Sequence, residues 1–440
     1  MTILARGIAW FSVYVLLVVA PMSVAIAADP FPLPRPALVE ISVALGLLAF
    51  PLVLVQFALV SHLRASSRPF GTDALVQFHR YMGFLTLAFV IAHPILLNVV
   101  GLPWSDWSPL SRNTVARSGA IALWALVALV VTTVLRRLRP LYETWRSVHL
   151  ALSIAATTAI VMHILAVNGY SRPGSMRAVL AGYVLTFGAV LVTYRLVRPL
   201  RMRSRPWSVV DNIDQGASTR TIRVRPLGHS GFTFDPGQFA WLITGASPFS
   251  LQQHPLSVSS SAERPADGSI EFSVKALGDW SRVVVPVLAP GTRVWVDGAF
   301  GAFTTEGKGG QGFVLIAGGI GIAPMRSMLL TMRDRGDRRH VVLLYAAHDE
   351  TRAPFRQEIE RLRADLNLDI VCVLEAPPED WTGEHGYLTI AVLQRHLPPH
   401  FKRYHYFVCG PPPMMDAVEA MLVEAGVAPA SIDSERFNVV

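Results

Sequence analysis

Between Met1 and Arg198 the chain is built of long uncharged apolar runs separated by short arginine-bearing breaks, whereas beyond Arg205 apolar and polar residues interleave at short range. The first texture predicts helices in lipid and the second a water-exposed fold, so two halves in different solvents are expected. Six windows, at about 8–28, 38–60, 79–100, 117–138, 146–167 and 178–198, each approach the ~20 residues that a bilayer crossing requires. Ala25-Ile26-Ala27 before Ala28 has the form of a signal-peptide cleavage site. The apolar run from Ile8 to Ala27 exceeds the ~7–15 residues of a signal h-region, which favours an uncleaved anchor.

From Trp207 to about Phe303 short alternating runs recur, such as Thr221-Ile222-Arg223-Val224, Gln238 to Ile243 and Ile270 to Val274, broken by Gly, Pro and Asp. That pattern predicts a small antiparallel barrel. After Gly312 apolar strands (Phe313 to Ala317, Val341 to Ala346, Leu368 to Leu374, Tyr404 to Cys409) alternate with amphipathic helices at 323–335, 354–366 and 413–425, which predicts a doubly wound parallel sheet. The expected organisation is an all-α membrane bundle of six helices over 1–200, an antiparallel β-barrel over 205–305 and an α/β doubly wound nucleotide-binding domain over 311–440.

Composition sharpens this picture. A mean hydropathy of +0.40, with 52% hydrophobic and 16% charged residues, is too apolar for an ordinary water-soluble chain of this size. The net charge of +8 comes almost wholly from arginine, the lysines being Lys275, Lys308 and Lys402. The arginines cluster at the ends of apolar runs, not along a phosphate-tracking stripe, so a nucleic-acid partner is excluded. One side of the bundle carries Arg64, Arg68, Arg136, Arg137, Arg139, Arg198, Arg201, Arg203 and Arg205, the other Arg35, Arg112, Arg117, Arg172 and Arg177. The positive-inside rule then places both termini and the second half in the cytoplasm of a cell bounded by this inner membrane. With two cysteines, Cys372 and Cys409, structural disulfides are not expected, and the chain cannot supply the four thiolates of a two-iron two-sulfur cluster.

Four histidines lie inside the apolar windows: His79 and His93 on the third, His149 and His163 on the fifth. Both pairs are 14 residues apart, close to four helical turns, so each pair shares one helix face with an axial rise of about 21 Å. A lone imidazole in hydrocarbon is often a satisfied packing residue, but four in matched register suit two stacked porphyrins, each iron held from both sides. Topology pairs His79 with His149 at cytoplasmic depth and His93 with His163 on the outer side. Iron ligated in this way has no open position, which favours electron transfer over oxygen binding. Arg80 and Arg146 near the inner pair fit either propionate partners or interfacial topology charges. His62, at the end of the second window, is read as a solvated interfacial residue.

In the second half, His254-Pro255-Leu256-Ser257 precedes a serine run, and Lys275-Ala276-Leu277-Gly278-Asp279-Trp280-Ser281 leads from a strand through a glycine turn into a helix. Hydroxyls at a strand end and amides at a helix start suit a flavin and its diphosphate. The first of these motifs is explained as well by a serine-rich strand edge. The first strand of the parallel sheet runs into Gly318-Gly319-Ile320-Gly321-Ile322-Ala323-Pro324, where glycines let a dinucleotide diphosphate approach the next helix. Pro324 stands where the standard fingerprint has its last glycine. The last long strand ends in Cys409-Gly410-Pro411-Pro412, and Ser434-Glu435-Arg436-Phe437 brings an aromatic near the C-terminal end.

With these residues in view, the second half resembles the ferredoxin reductase superfamily, and nearly the whole chain resembles the ferric reductase and NADPH oxidase family. The resemblance implies FAD contacts at His254, Pro255 and Ser257, with Leu256 departing from the family's Phe; Lys275, Gly278 and Ser281 are assigned to the same cofactor. It implies NAD(P)H contacts at Gly318, Gly319, Gly321, Pro324, Cys409 and Gly410. Cys409 is expected near the nicotinamide C4, and Phe437 is expected to stack on the isoalloxazine and swing aside for hydride transfer. Two haem b groups on His79, His93, His149 and His163 complete the implied cofactor set. The expected activity is NAD(P)H-dependent electron transfer through FAD and haem to an outer acceptor, for which ferric chelates, dioxygen, a quinone or a redox protein all remain open. The loops around Trp104, Asp106, Trp107, Arg112 and 168–172 would build the acceptor site. Ala347-His348-Asp349-Glu350-Thr351-Arg352 offers both an arginine suited to NADPH and an acidic pair suited to NADH. The rival readings are a flavin-binding membrane redox sensor and a histidine-based metal or proton transporter.

Overall fold

The computed structural model describes all residues except 1–2, 29–35, 62–70, 137–141, 168–172, 264 and 437–440. Phe437, His62 and several loop arginines (Arg35, Arg64, Arg68, Arg137, Arg139 and Arg172) therefore lie outside the described residues. The chain divides into two compact units, Met1–Arg198 and Pro199–Val440.

The first unit is helical. Its spans are α1 (Ile3–Ala28), α2 (Ala37–Leu59), α3 (Thr72–Val99), α4 (Thr114–Leu135), α5 (Tyr142–Val167) and α6 (Gly174–Val192), the last continuing through a π-helical turn at Thr193–Val197. All six are long and apolar enough to cross a membrane. Long apolar helices form here because every backbone N–H and C=O must be paired within the segment when no water is available. Six spans are found where six were expected, and all but α2 begin three to seven residues before the apolar window, as where Glu143 falls in the first turn of α5.

α2 is the inner helix, burying Ser42, Leu47 and the run Ala49 to Val55. Around it, Phe50, Leu54, Met176, Leu180, Tyr183 and Phe187 form a common core, and the Tyr183 hydroxyl donates to the Leu17 carbonyl, joining α6 to α1. Elsewhere large apolar side chains face outward, with Leu185 71% and Met162 56% exposed. A water-soluble fold would not leave so many uncovered, whereas lipid covers them.

The second unit holds two sheets. The first contains β1 (Trp207–Asp214), β2 (Thr219–Pro226), β3 (Phe239–Ile243), β4 (Gln253–Ser257), β5 (Ile270–Lys275) and β6 (Arg293–Phe300), antiparallel in the order β4-β3-β6-β1-β2-β5. An isolated bridge between Val258 and Phe272 also joins the continuation of β4 to β5. Trp207, Ile222, Leu242, Ile270 and Phe272 fill its interior. The second sheet is parallel, in the order β10-β9-β8-β7-β11-β12. Its strands are β7 (Gly312–Gly318), β8 (His340–Ala347), β9 (Leu368–Leu374), β10 (Glu384–His385), β11 (His405–Cys409) and β12 (Ile432–Glu435). It is flanked by α7 (Ile322–Arg335), α8 (Arg356–Arg361), α9 (Ile390–His396) and α10 (Pro412–Glu424). The expected 354–366 helix is shorter, α8 being followed by a 3-10 turn at Leu362–Ala364. Because β7 pairs with β8 on one side and β11 on the other, the strand order reverses there, and a crevice forms beyond the strands' carboxyl ends.

Candidate functional site

In the first unit the four histidines come together in two pairs. His79 and His149 have ring centroids 6.3 Å apart, and His93 and His163 are 6.1 Å apart. This is the pairing expected from helix register. Three of the four rings are braced from a neighbouring helix, while Nδ1 of His79 is buried without a hydrogen-bond partner among the described residues. Nδ1 of His93 donates to the Ser42 carbonyl at 2.8 Å, and Nδ1 of His163 donates to the Val115 carbonyl at 2.9 Å. A carbonyl can only accept, so both rings carry their proton on Nδ1 and leave the lone pair on Nε2. His149 follows the same rule: the Thr133 hydroxyl donates to Leu129 at 2.7 Å and so receives Nδ1 of His149 at 3.2 Å. Beside His79 lies the Gln56 backbone, and the Gln56 amide has both polar atoms buried without a hydrogen-bond partner.

The outer supports are built alike on two helices. On α2, Ser42 accepts from His93, and a Cβ at Gly46 would meet the same ring at 3.5 Å. On α4, Val115 accepts from His163, and a Cβ at Gly119 would meet that ring at 3.0 Å. A carbonyl followed four residues later by glycine thus seats each outer imidazole. Sequence reading missed all four of these residues, although an unexplained glycine inside an apolar helix was the available signal.

The ring spacing decides what the pairs can hold. With about 2.0–2.1 Å per metal–imidazole bond and about 1.1 Å from nitrogen to ring centre, two imidazoles on opposite sides of one metal stand ~6.2–6.4 Å apart. Two rings sharing a direct N–H···N bond would stand at about 5 Å. The observed 6.1 and 6.3 Å leave room for a metal ion between the two rings, which His79 with His149 and His93 with His163 would hold. The Nδ1 hydrogen bonds of His93, His149 and His163 fix the orientation of these rings.

In the second unit, β4 carries His254-Pro255-Leu256-Ser257, paired antiparallel to β3. The His254 ring stacks on Trp280 with centroids 3.9 Å apart. Ser257 Oγ is buried and has no hydrogen-bond partner among the described residues, so a ligand hydroxyl or amide at this strand end would pair an unpaired polar atom. At the Gly278 turn the amides of Leu277 and Gly278 both donate to Ser281 Oγ at 2.9 Å. The helix expected there is a single π-turn, Trp280–Val284. Lys275 points elsewhere: its Nζ lies 3.7 Å from the position a Cβ would take on Gly319, beside the glycine turn of the parallel sheet.

That turn and the end of β11 face one another. A Cβ on Gly321 would fall 2.2 Å from the Cys409 carbonyl, and one on Gly318 would fall 2.6 Å from Met414 Sδ and 2.7 Å from Pro411 Cδ. Gly319 has φ +53°, in the left-handed region. Only glycine permits two backbone turns to pack this closely at the reversal of strand order. Pro324 is in the first turn of α7, and Cys409, fully buried, ends β11. Hence Gly318, Gly319, Gly321, Pro324, Cys409, Gly410 and Lys275 line one end of the parallel sheet, while His254 and Ser257 lie on the antiparallel one.

Six apolar helices, an antiparallel sheet with an unpaired hydroxyl and a parallel sheet with facing glycine turns define a multi-pass membrane protein carrying a flavin- and nicotinamide-binding electron-transfer module. Comparison with known proteins makes this specific. Residues 45–160 match the ferric reductase like transmembrane component, residues 202–306 an FAD-binding domain and residues 315–420 the oxidoreductase NAD-binding domain. In this order along one chain they match a ferric reductase/NADPH oxidase-like flavocytochrome. NADH-cytochrome b5 reductase 1 of Cryptococcus neoformans is 32% identical over 185 residues, covering 39% of this chain and 63% of the relative. The phenol hydroxylase P5 protein of Acinetobacter pittii is 30% identical over 242 residues, covering 52% and 64%. The chain thus spans less than two thirds of either relative. The crystal structure of a flavohemoglobin from Malassezia yamatoensis, with bound FAD and heme, is similar in fold, with a TM-score of 0.51 at 16% identity over 90% of this chain and 99% of that one.

Proposed function

We propose that this protein takes electrons from cytoplasmic NAD(P)H and delivers them to an acceptor on the outer side of the membrane, such as a ferric chelate or dioxygen, using one FAD and two haem b groups. Three domains divide the work: a dihaem bundle over 1–200, an FAD-binding barrel over 205–305 and an NAD(P)H-binding α/β domain over 311–440. The observation that carries the reading is the spacing of the two imidazole pairs, 6.3 and 6.1 Å between centroids, which suits an iron between each.

When bound, the flavin accepts a two-electron hydride and releases electrons singly, which haem iron requires. The protein's residues do the rest. His79 and His149 hold the inner group, His93 and His163 the outer one. Backbone carbonyls and the Thr133 hydroxyl keep Nδ1 of His93, His163 and His149 protonated, so that Nε2 of each would be free to act as a ligand. With a histidine on each side, these residues would leave no open position on the metal for an acceptor, which would then be reduced at the protein's edge. His254, Pro255, Leu256 and Ser257 contact the flavin. The glycine turn at Gly318, Gly319 and Gly321, closed by Pro324, receives the nicotinamide diphosphate at the α7 N-terminus, with Lys275 as counter-charge. Cys409 and Gly410 would place the nicotinamide ring, and Phe437, outside the described residues, is assigned to the isoalloxazine.

Both termini and the second unit lie on the cytoplasmic side, following the arginine-rich loops. The test is anaerobic reduction of the purified holoprotein by NADH or NADPH, then addition of ferric citrate, oxygen or a quinone one at a time. Reduction of both flavin and haem, with reoxidation by one acceptor, is expected. Flavin reduction without haem reduction would overturn the proposal.

A further inference from the structure

Resting on the nicotinamide-to-flavin reading above, we infer that Arg326 is a positioning residue which seats the nucleotide sheet against the flavin sheet and thereby sets the alignment between the two reacting rings. Arg326 lies on α7, just over one turn beyond the Gly318–Gly321 segment, and its side chain is only 10% exposed. One edge of the guanidinium crosses to the antiparallel sheet: Nη1 donates to the Ser259 carbonyl at 2.8 Å and to Glu271 on β5 at 2.8 Å. The other edge stays within its own domain, with Nε and Nη2 donating to Glu358 on α8 at 2.9 and 2.8 Å. The plane lies over Phe355, 4.8 Å from that ring's centre.

The same face of α7 continues the join. Ser327 Oγ donates to the Ser260 carbonyl at 2.7 Å, and the Ala262 amide donates to Thr331 Oγ1 at 2.8 Å. The helix whose N-terminus faces the diphosphate is therefore tied directly to the segment that follows β4. Burial opposes the charge on Arg326, yet Glu358 and Glu271 more than offset it and hold the guanidinium above its usual range. Lysine offers one point charge and cannot bond two carboxylates and a carbonyl in this planar arrangement.

Hydride transfer tolerates little misalignment: reacting atoms need to approach ~3–3.5 Å, and a displacement of about 1 Å costs on the order of 10²-fold in rate. A join that fixes α7 against β5 controls that approach without touching either ring.

The experiment is stopped-flow reduction of the flavin in the full-length holoprotein, comparing wild type with Arg326→Lys, Glu271→Gln and the double variant at varied nucleotide concentration. For Arg326→Lys with full flavin content, the limiting rate of flavin reduction is expected to fall by roughly tenfold or more, since even a fraction of an ångström matters, while the nucleotide dissociation constant stays within about threefold. The primary isotope effect with nucleotide deuterated at the transferred position should rise. Glu271→Gln should show a smaller fall, and the double variant should be less impaired than the product of the two single effects. Should Arg326→Lys fail to fold, Glu271→Gln, which leaves Arg326 in place, carries the same rate test. An unchanged limiting rate in flavin-replete variants, with only lowered thermal stability, would overturn the inference. Failure of wild type to be reduced by either nucleotide would instead overturn the proposed function.

Discussion

Two glycines in one turn should lose stability on replacement by alanine for different reasons and by different amounts. Gly321 has φ −59°, a conformation open to any residue, but its added Cβ would lie 2.2 Å from the Cys409 carbonyl oxygen and 2.9 Å from the Gly410 amide. Both obstacles are backbone, so a strand end or the start of α7 must move. Overpacking of this kind costs about 3 kcal/mol or more. Gly319 is the reverse case: its φ of +53° makes alanine cost ~1–2 kcal/mol, but the nearest obstacle is the flexible Lys275 ammonium at 3.7 Å. For a unit of this size each kcal/mol moves the midpoint by roughly 2–4 °C. Thermal unfolding followed by flavin fluorescence should thus show Gly321→Ala lower by on the order of 6–12 °C and Gly319→Ala by about 2–8 °C. Nucleotide affinity should fall in both, because a methyl on Gly319 occupies the diphosphate approach. Equal stability losses, or a larger loss for Gly319→Ala, would refute the claim that contact with the β11 turn makes Gly321 indispensable.

Gly119→Ala should displace the His163 ring, 3.0 Å from the new Cβ, and shift the outer haem's reduction potential or lose that haem, while Gly46→Ala, with 3.5 Å available, should be nearly silent in a potentiometric titration. Ser257→Ala removes a buried hydroxyl that no group among the described residues satisfies, so unfolding of the flavin-free protein should be unaffected while FAD affinity drops by about 0.5–1.5 kcal/mol; unchanged affinity by flavin titration would separate Ser257 from the cofactor. Arg395 and His396 hold the Glu384 carboxyl down at about 2 from the usual 4.5. A depressed carboxylate stabilises the fold above the unfolded value and loses that contribution as pH falls through the folded one, so the gap between wild type and Glu384→Gln should be full at pH 7 and close between about 4.5 and 2. With solvent screening the gap should stay below ~1 kcal/mol in denaturant titrations; a gap independent of pH would contradict the assignment.

The spans and the histidine pairing were legible because both follow from one-dimensional periodicity: fourteen residues bring His79 and His93, or His149 and His163, to one face whatever the neighbouring helices do. The parallel sheet was legible for a similar reason, since its four long strands are largely apolar runs, and two of them, β7 and β11, end at glycine turns. What stayed hidden depends on the partner across the contact. Ser42 and Val115 act through backbone carbonyls, which leave no side-chain signature. Lys275 was grouped with Gly278 and Ser281 by adjacency in sequence, yet it sits by Gly319 because β5 ends there. β10 and β12 are too short, at two and four residues, to show a period. Arg326 falls within the stretch 323–335 expected as an amphipathic helix, and only the packing of α7 on the antiparallel sheet gives it Glu271 and Ser259 as partners.

The most direct measurement is the haem content and reduced-minus-oxidised spectrum of the purified protein and of its single histidine variants, normalised to FAD. The account predicts two b-type haems per flavin in wild type, loss of the inner signal in His79→Ala or His149→Ala, and loss of the outer one in His93→Ala or His163→Ala, with flavin content preserved throughout. An unaltered haem count and spectrum in His79→Ala or His163→Ala would contradict it.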